Sequence, residues 1–374
     1  MDFHAPFIFL IEILIIFSIK SQKSILTKIE NILKIKMHNG EYMKNEIIKF
    51  ENPPKIIASC SVVGKKEHDG PLGKLFDIVD ETDTFNQDTW EKSESEMQRL
   101  AVKHVMQKAS LKDGDIDAMF AGDLTNQCVS SNYGLLDFDI PFFGLYGACS
   151  TAAESLMLSS ITIGSGIFKK TVAVTSSHNC SAERQFRYPL EYGGQHTPTS
   201  QWTVTGSGAY IVSNEGKGPV IAEVLPGKTV DRGITDINNM GAAMAPAAID
   251  TLSRFFEQSK TKPQDYDLIA TGDLGYEGHR IVKELMLGKG YDMGKQYDDC
   301  GLMIYDRKRQ DMHAGGSGCG CSAVVFASHI YNELCSGKLK NVLFLGTGAL
   351  MSPSSVQQGQ SIPGIAHLLH IKGE

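Results

Sequence analysis

An internal repeat constrains the fold of this chain more than any other feature. The segment DIDAMFAGDL at residues 115–124 recurs 150 residues later as DYDLIATGDL at residues 265–274. In each copy an acidic turn leads into an apolar run that ends in Gly-Asp-Leu, and this pattern predicts one strand-to-helix unit used twice. We expect the functional site of such a duplicated chain to lie between its halves.

The order of predicted elements also repeats beyond that segment. GACSTA at residues 147–152 begins a helix-like run with a strand after it, and GCGCSA at residues 318–323 begins another such pair. Alternating strands and helices predict an α/β fold with largely buried sheets. We assign the N-terminal half to residues 50–218 and the C-terminal half to residues 219–374.

Composition excludes several classes of function. With 374 residues the chain can form two cores. A formal charge of −7 and the lack of a basic run argue against a nucleic-acid partner. Eight scattered cysteines do not resemble a disulfide framework, which predicts reduced thiols and an intracellular protein.

The N-terminal extension, residues 1–36, has two interpretations. Its apolar stretch 7–17 is short for a membrane span and contains Glu12, and the basic start of a signal peptide is missing. Residues 21–36 have the pattern of an amphipathic helix on a membrane surface. Alternatively, translation starts at Met37 or Met43 and the extension is a gene-model artefact.

Cys149 is the strongest candidate for chemistry. It follows a glycine-containing turn and precedes a helix-like run, so its sulfur is predicted to lie at a helix N-terminus, where a thiol pKa is lowered. His313 lies in a glycine-rich turn at the corresponding place in the second half. We expect His313 to contact Cys149, either as a base or as part of a polar pocket floor.

A second group of candidates follows a predicted strand of the first half. Ser176, Ser177 and His178 end that strand, at the edge where α/β folds bind ligands. Arg184 and Arg187 come next and could clamp carboxylates, or could instead form ion pairs within a surface loop.

No metal site is predicted. The pair Cys319 and Cys321 has no second Cys/His pair close by in the sequence, as a zinc site would require.

The duplicated halves, the Cys149 turn and the His313 turn resemble the thiolase superfamily, including the ketoacyl synthases. Within it, the motifs TSSHN at 175–179, QFRYP at 185–189 and EYGGQ at 191–195 are similar to the family of stage V sporulation protein AD. The resemblance covers about residues 50–374 and leaves out the extension. It implies a five-layered αβαβα fold, a homodimer and a role in endospore formation.

The resemblance also implies a ligand and partners. Family members bind dipicolinic acid (pyridine-2,6-dicarboxylate) and support its uptake into the developing spore with membrane proteins of the same operon. That function implies a location in the forespore or spore, peripheral to the inner spore membrane. The residues expected to contact the ligand are Cys149, Ser176, Ser177, His178, Arg184 and Arg187.

One position departs from the superfamily pattern. Cys149 matches the acyl-accepting cysteine and His313 the histidine of the superfamily, but Asp273 stands where condensing enzymes carry a donor to the oxyanion. Loss of one such donor costs about 3 kcal/mol of transition-state stabilisation. We therefore expect a ligand-binding protein without catalysis or cofactor. The alternatives are an acyltransferase or ketoacyl-synthase-like enzyme, which would need CoA or an acyl-carrier thioester, and a structural adaptor.

Overall fold

The computed structural model describes residues 36–38, 41–43, 46–186 and 196–373, with the backbone alone described at 36–38, 41–43 and 184–186. The chain divides into two compact units, Met1–Ile48 and Lys49–Glu374. In the first, strands β1 (Lys36–His38) and β2 (Glu41–Met43) pair antiparallel, and the short strand β3 (Ile48–Lys49) falls at the boundary. The predictions for the extension lie outside the described residues, apart from the backbone at residue 36.

The second unit alternates strands and helices. Its strands are β4 (Lys55–Gly64), β5 (Ile78–Asp80), β6 (Ala118–Gly122), β7 (Phe142–Leu145), β8 (Lys170–Ser177), β9 (Trp202–Thr203), β10 (Gly206–Ser213), β11 (Val220–Leu225), β12 (Leu268–Thr271), β13 (Tyr297–Asp299), β14 (Gly316–Ser317), β15 (Asn341–Ala349) and β16 (Gly364–Lys372). Its helices are α1 (Lys65–His68), α2 (Trp90–Lys108), α3 (Val129–Gly134), α4 (Thr151–Gly164), α5 (Asn179–Phe186), α6 (Met240–Ser259), α7 (Gly275–Gly288), α8 (Cys300–Met303), α9 (Cys319–Val325), α10 (Tyr331–Cys335) and α11 (Pro353–Gln357). A π turn, Phe326–Ile330, joins α9 to α10.

The topology of the main sheet confirms the duplication. Ten strands follow one another in the order β13-β12-β15-β16-β11-β4-β10-β8-β6-β7. When the five strands of each half are numbered along the chain, both halves have the order 3-2-4-5-1. In both, strand 2 pairs parallel with strands 3 and 4, whereas strand 5 pairs antiparallel with strands 4 and 1. The halves meet where β4 pairs antiparallel with β11.

Repeated aspartates explain part of this symmetry. The Asp117 carboxylate accepts hydrogen bonds from the backbone N–H groups of residues 169 and 170, at 2.7 and 2.9 Å. The Asp267 carboxylate accepts the same pair of bonds from residues 340 and 341, also at 2.7 and 2.9 Å. In each half the aspartate thus ties the start of strand 2 to the start of strand 4.

Helices cover the sheet in layers. Between the halves, α4 packs on β6 and β8 of the first half and on β15 and β16 of the second. The ring of Phe326 has its centroid 5.6 Å from that of Tyr210 in β10 and 4.7 Å from that of Phe344 in β15. Outside these elements, α2 packs on the first half and α6 on the second. When each five-stranded half of the main sheet is counted as one layer, the order is helix, sheet, helix, sheet, helix. This is the order that the resemblance implied.

The polar composition of residues 64–92 predicts a long loop or lid, but the segment forms more regular structure. It contains α1 and β5, and β5 pairs parallel with β4. Asp77 holds this segment down, since its carboxylate accepts from the Ser61 backbone N–H at 2.9 Å and from Lys108 Nζ at 2.6 Å. The polar composition therefore reflects anchoring contacts that are distant in sequence.

Candidate functional site

A cavity of about 380 Å³ lies against Cys149. Its volume is within the range of small-molecule sites. Its apolar lining residues are Leu124, Ala148, Ala182, Ile237, Met240, Ala349, Leu350 and Met351. Its polar lining residues are Tyr146, Cys149, Glu183, Ser200, Gln201, Thr203, Asn238, Ser317, Ser352 and Ser355. Both halves contribute lining residues. The cavity therefore lies between the halves, where the site of a duplicated chain is expected.

The chain around Cys149 is tightly constrained. Ala148 adopts a φ of 52°, and Cys149 lies in the turn that leads into α4. Strand β15 passes close to this turn, because a Cβ added at Gly348 would lie 2.7 Å from the Gly147 carbonyl oxygen. The Cys149 side chain is buried, and its Sγ lies 4.0 Å from Ser317 Oγ.

Asp273 is the group that most affects this thiol. The carboxylate of Asp273 is fully buried and accepts hydrogen bonds from Ser317 Oγ and the Gly318 N–H, both at 2.9 Å, and from Thr347 Oγ1 at 2.8 Å. Its charge also acts on the thiol of Cys149. The residue that departs from the superfamily pattern therefore lies behind the cavity wall, where it bonds the lining residue Ser317.

These surroundings keep the thiol protonated. Burial, followed by the charge of Asp273, raises the pKa of Cys149 well above its ordinary value. Burial also raises the pKa of Asp273. The position at a helix N-terminus predicted a lowered thiol pKa, but the desolvation and the nearby carboxylate outweigh the helix. A neutral thiol is a poor nucleophile.

His313 has contacts away from the thiol. Its Nδ1 lies 2.8 Å from the Thr197 carbonyl oxygen and its Nε2 lies 3.4 Å from the Asp311 carboxylate. No histidine is among the described residues that line the cavity. The described geometry thus supplies no imidazole base to Cys149.

The side chains at and just after the end of β8 form hydrogen bonds within the protein interior. Ser176 Oγ donates to Glu94 at 3.0 Å, and Ser177 Oγ donates to the Val204 carbonyl at 2.7 Å. His178 Nε2 lies 2.9 Å from the Asp83 carbonyl oxygen, and burial lowers the pKa of this histidine. None of the three lines the described cavity.

Arg184 and Arg187 come shortly after two lining residues of the cavity in the sequence. Helix α5 contributes Ala182 and Glu183 to the lining. Arg184 comes next, but its side chain and the whole of Arg187 lie outside the described residues. Their expected role as a carboxylate clamp stays a prediction.

Sequence reasoning missed most of the lining. Gln201 is one example: its amide donates to the carbonyl oxygens of Asp273, at 2.5 Å, and Gly316, at 3.0 Å, and so joins the two halves beneath the cavity. Asn238 and Ser352 reach the cavity from segments with no motif of their own. The only signal was that Gln201 begins the motif QWTVTG at residues 201–206.

The described residues contain neither a metal-binding cluster nor a membrane-spanning helix. Within them, no group of three or more His, Cys, Asp or Glu side chains is placed to hold a metal ion. No helix in this part of the chain combines the length and the apolar character needed to cross a membrane.

Comparisons with known proteins agree with one another. The family model described as stage V sporulation protein AD matches residues 44–372. Stage V sporulation protein AD of Bacillus subtilis (strain 168) is 48% identical over 318 residues, which cover 85% of this chain and 94% of that protein.

Solved structures show the same fold at low identity. Cerulenin-bound OleA of Xanthomonas campestris has a TM-score of 0.54 and 10% identity, covering 87% of this chain and 98% of that one. The 3-oxoacyl-[acyl-carrier-protein] synthase III of Aquifex aeolicus VF5 has a TM-score of 0.50 and 15% identity, covering 84% of this chain and 99% of that one. These likenesses confirm the thiolase-like α/β fold.

Proposed function

The chain belongs to the stage V sporulation protein AD family, and from this membership we propose that it binds dipicolinic acid in the Cys149 cavity. We further propose that it supports uptake of this compound into the developing spore, together with membrane proteins of the same operon. It would act in the forespore or spore, peripheral to the inner spore membrane.

The cavity carries this proposal. It is open to a small molecule, while the cysteine beneath it is held as a neutral thiol against Asp273. Its walls combine aliphatic side chains with hydroxyl and amide groups. A flat aromatic ring suits the aliphatic surface, and its polar substituents suit the hydroxyl and amide groups.

Charge places a requirement on the rest of the site. Among the described lining residues, Glu183 is acidic and none is a lysine or arginine. A dicarboxylate needs cationic or N–H donors to replace its lost hydration. We assign the cationic donors to Arg184, which follows Glu183 directly in the chain, and to Arg187, three residues further on.

Isothermal titration calorimetry on the full chain tests the proposal. We expect saturable binding of dipicolinate and much weaker binding of isophthalate, the matched control in which a C–H replaces the pyridine nitrogen. The absence of dipicolinate binding, combined with an acyl adduct on Cys149 after incubation with acyl-CoA, would favour the enzymatic alternative. That alternative currently has only the fold in its favour.

We also propose a homodimer. Strand β7 ends the main sheet, so one edge of it is unpaired within the described chain. Phe143 in β7 and Tyr146 just after it are about half exposed, at 47% and 51%. An apolar sheet edge of this kind favours pairing with another chain. Sedimentation of the purified protein at the mass of one chain would contradict this.

A further inference from the structure

Two buried acids, Glu94 and Asp123, lie behind the inner wall of the cavity. Glu94 projects from α2, and Asp123 follows β6, at the same place in the first half that Asp273 occupies in the second. Both side chains are fully or almost fully buried. The cavity chemistry described above does not use either of them.

Hydroxyl and N–H groups hold both carboxyl groups. Glu94 accepts from Ser176 Oγ at 3.0 Å and from Ser181 Oγ at 2.5 Å. Asp123 accepts from the Ser131 N–H and hydroxyl, at 2.7 and 2.6 Å, and from the Thr125 N–H at 2.8 Å. Within the described residues, no lysine or arginine forms an ion pair with either acid.

Residues adjacent in the chain to these acids, or to their hydrogen-bond partners, line the cavity. Leu124, next to Asp123, and Ala182, next to the Ser181 that bonds Glu94, both line the cavity. Leu124 and Ala182 pack with Cys149 and Cys319 in one buried cluster. A charge on either acid therefore acts on a cavity ligand from a buried position, where solvent screens it little.

The other titratable groups around the pair do not neutralise it. Cys319, from α9, and Cys128, near α3, have pKa values raised first by burial and then by nearby charges that include Asp123. From the β8–α5 side come His178, whose pKa is lowered by burial, and Cys180 and Glu183. In the described surroundings, none of these groups is a cation at neutral pH.

We propose that the Glu94–Asp123 pair is a proton-binding site coupled to the cavity, so that binding of a dianionic ligand draws a proton from solvent onto the pair. This rests on the proposed function. Two anions brought close together in an apolar medium raise each other's free energy, and protonation of the pair removes that repulsion. Because coupling is reciprocal, loss of the proton from the pair must lower the affinity for the ligand.

The direction of the pH dependence follows. Burial and the charge of Asp123 raise the pKa of Glu94 to about 8. Dipicolinate is a dianion throughout this range. As pH rises through the pKa of Glu94 the pair loses its proton, so we expect dipicolinate affinity to fall about tenfold between pH 7 and pH 9.5.

Calorimetry in buffers of different ionisation enthalpy measures the linked proton directly. Near pH 8.5 we expect net proton uptake when dipicolinate binds to the full chain. Glu94→Gln should abolish most of that uptake and flatten the pH profile, and Asp123→Asn provides a second variant should the first fail to fold. The matched control is Glu67→Gln: the carboxyl of Glu67 is fully buried, with a pKa raised by burial to about 7, and it bonds Tyr305 and Thr205 away from the lining.

The outcomes separate this inference from the proposed function. Dipicolinate binding without proton uptake, or uptake that persists in both Glu94→Gln and Asp123→Asn, would overturn the coupling and leave the binding function standing. Loss of uptake in Glu67→Gln as well would also overturn it, because the linked proton would then not be specific to the pair. If dipicolinate does not bind at any pH, both proposals fall.

Discussion

Replacing Asp273 by alanine is expected to lower the free energy of unfolding by about 3 kcal/mol. The carboxyl group accepts hydrogen bonds from Ser317, Gly318 and Thr347 in a fully buried site. Alanine leaves these donors without their acceptor, and the Gly318 N–H has no rotational freedom with which to find another. Urea denaturation followed by circular dichroism gives the difference.

Two further variants make that measurement specific. Asp273→Asn keeps an oxygen for the Ser317 and Gly318 donors, so we expect it to lose less than half of what alanine loses. Asp137→Ala removes an aspartate whose side chain is 72% exposed, and it should change the free energy of unfolding by less than about 0.5 kcal/mol. A loss below about 1 kcal/mol in Asp273→Ala would mean that the carboxyl does not organise the base of the cavity.

The repeat made the fold predictable. Asp117 and Asp267 occupy equivalent positions in the sequence and form equivalent bonds in the structure, since each acts on the start of a strand within its own half. The strand order 3-2-4-5-1 likewise occurs in both halves. Local patterns of this kind are sufficient to predict the fold wherever the contacts stay within one repeating unit.

The direction of side chains was not predictable in the same way. Ser176, Ser177 and His178 do end a strand, but their partners are Glu94, Val204 and Asp83, which are far away in sequence. A motif shows which donors are present at a strand end. The packing of neighbouring segments against that strand, α2 among them, decides that these donors are used internally.

For Cys149 the sequence motif predicts the position of the side chain but not its electrostatic surroundings. Its place at the start of α4 was predicted correctly, but the sign of its pKa shift was not. The group that changes the sign, Asp273, belongs to the other half of the chain. The sequence indicates Asp273 as a departure from the superfamily pattern, and only the folded structure shows that its charge acts on the thiol.

Protection of Cys149 from alkylation would test most directly whether dipicolinate occupies this cavity. Peptide-level mass spectrometry would follow the reaction of iodoacetamide with the full chain over a long incubation, with and without saturating ligand, because a neutral thiol reacts slowly. Because Cys149 lines the cavity, we expect dipicolinate to slow its modification by about tenfold or more, as an occupied site excludes the reagent. Cys335, which is exposed, provides an internal control whose rate should not change. Equal rates at Cys149 with and without dipicolinate, under conditions where calorimetry shows saturation, would contradict the assignment of the ligand to this cavity.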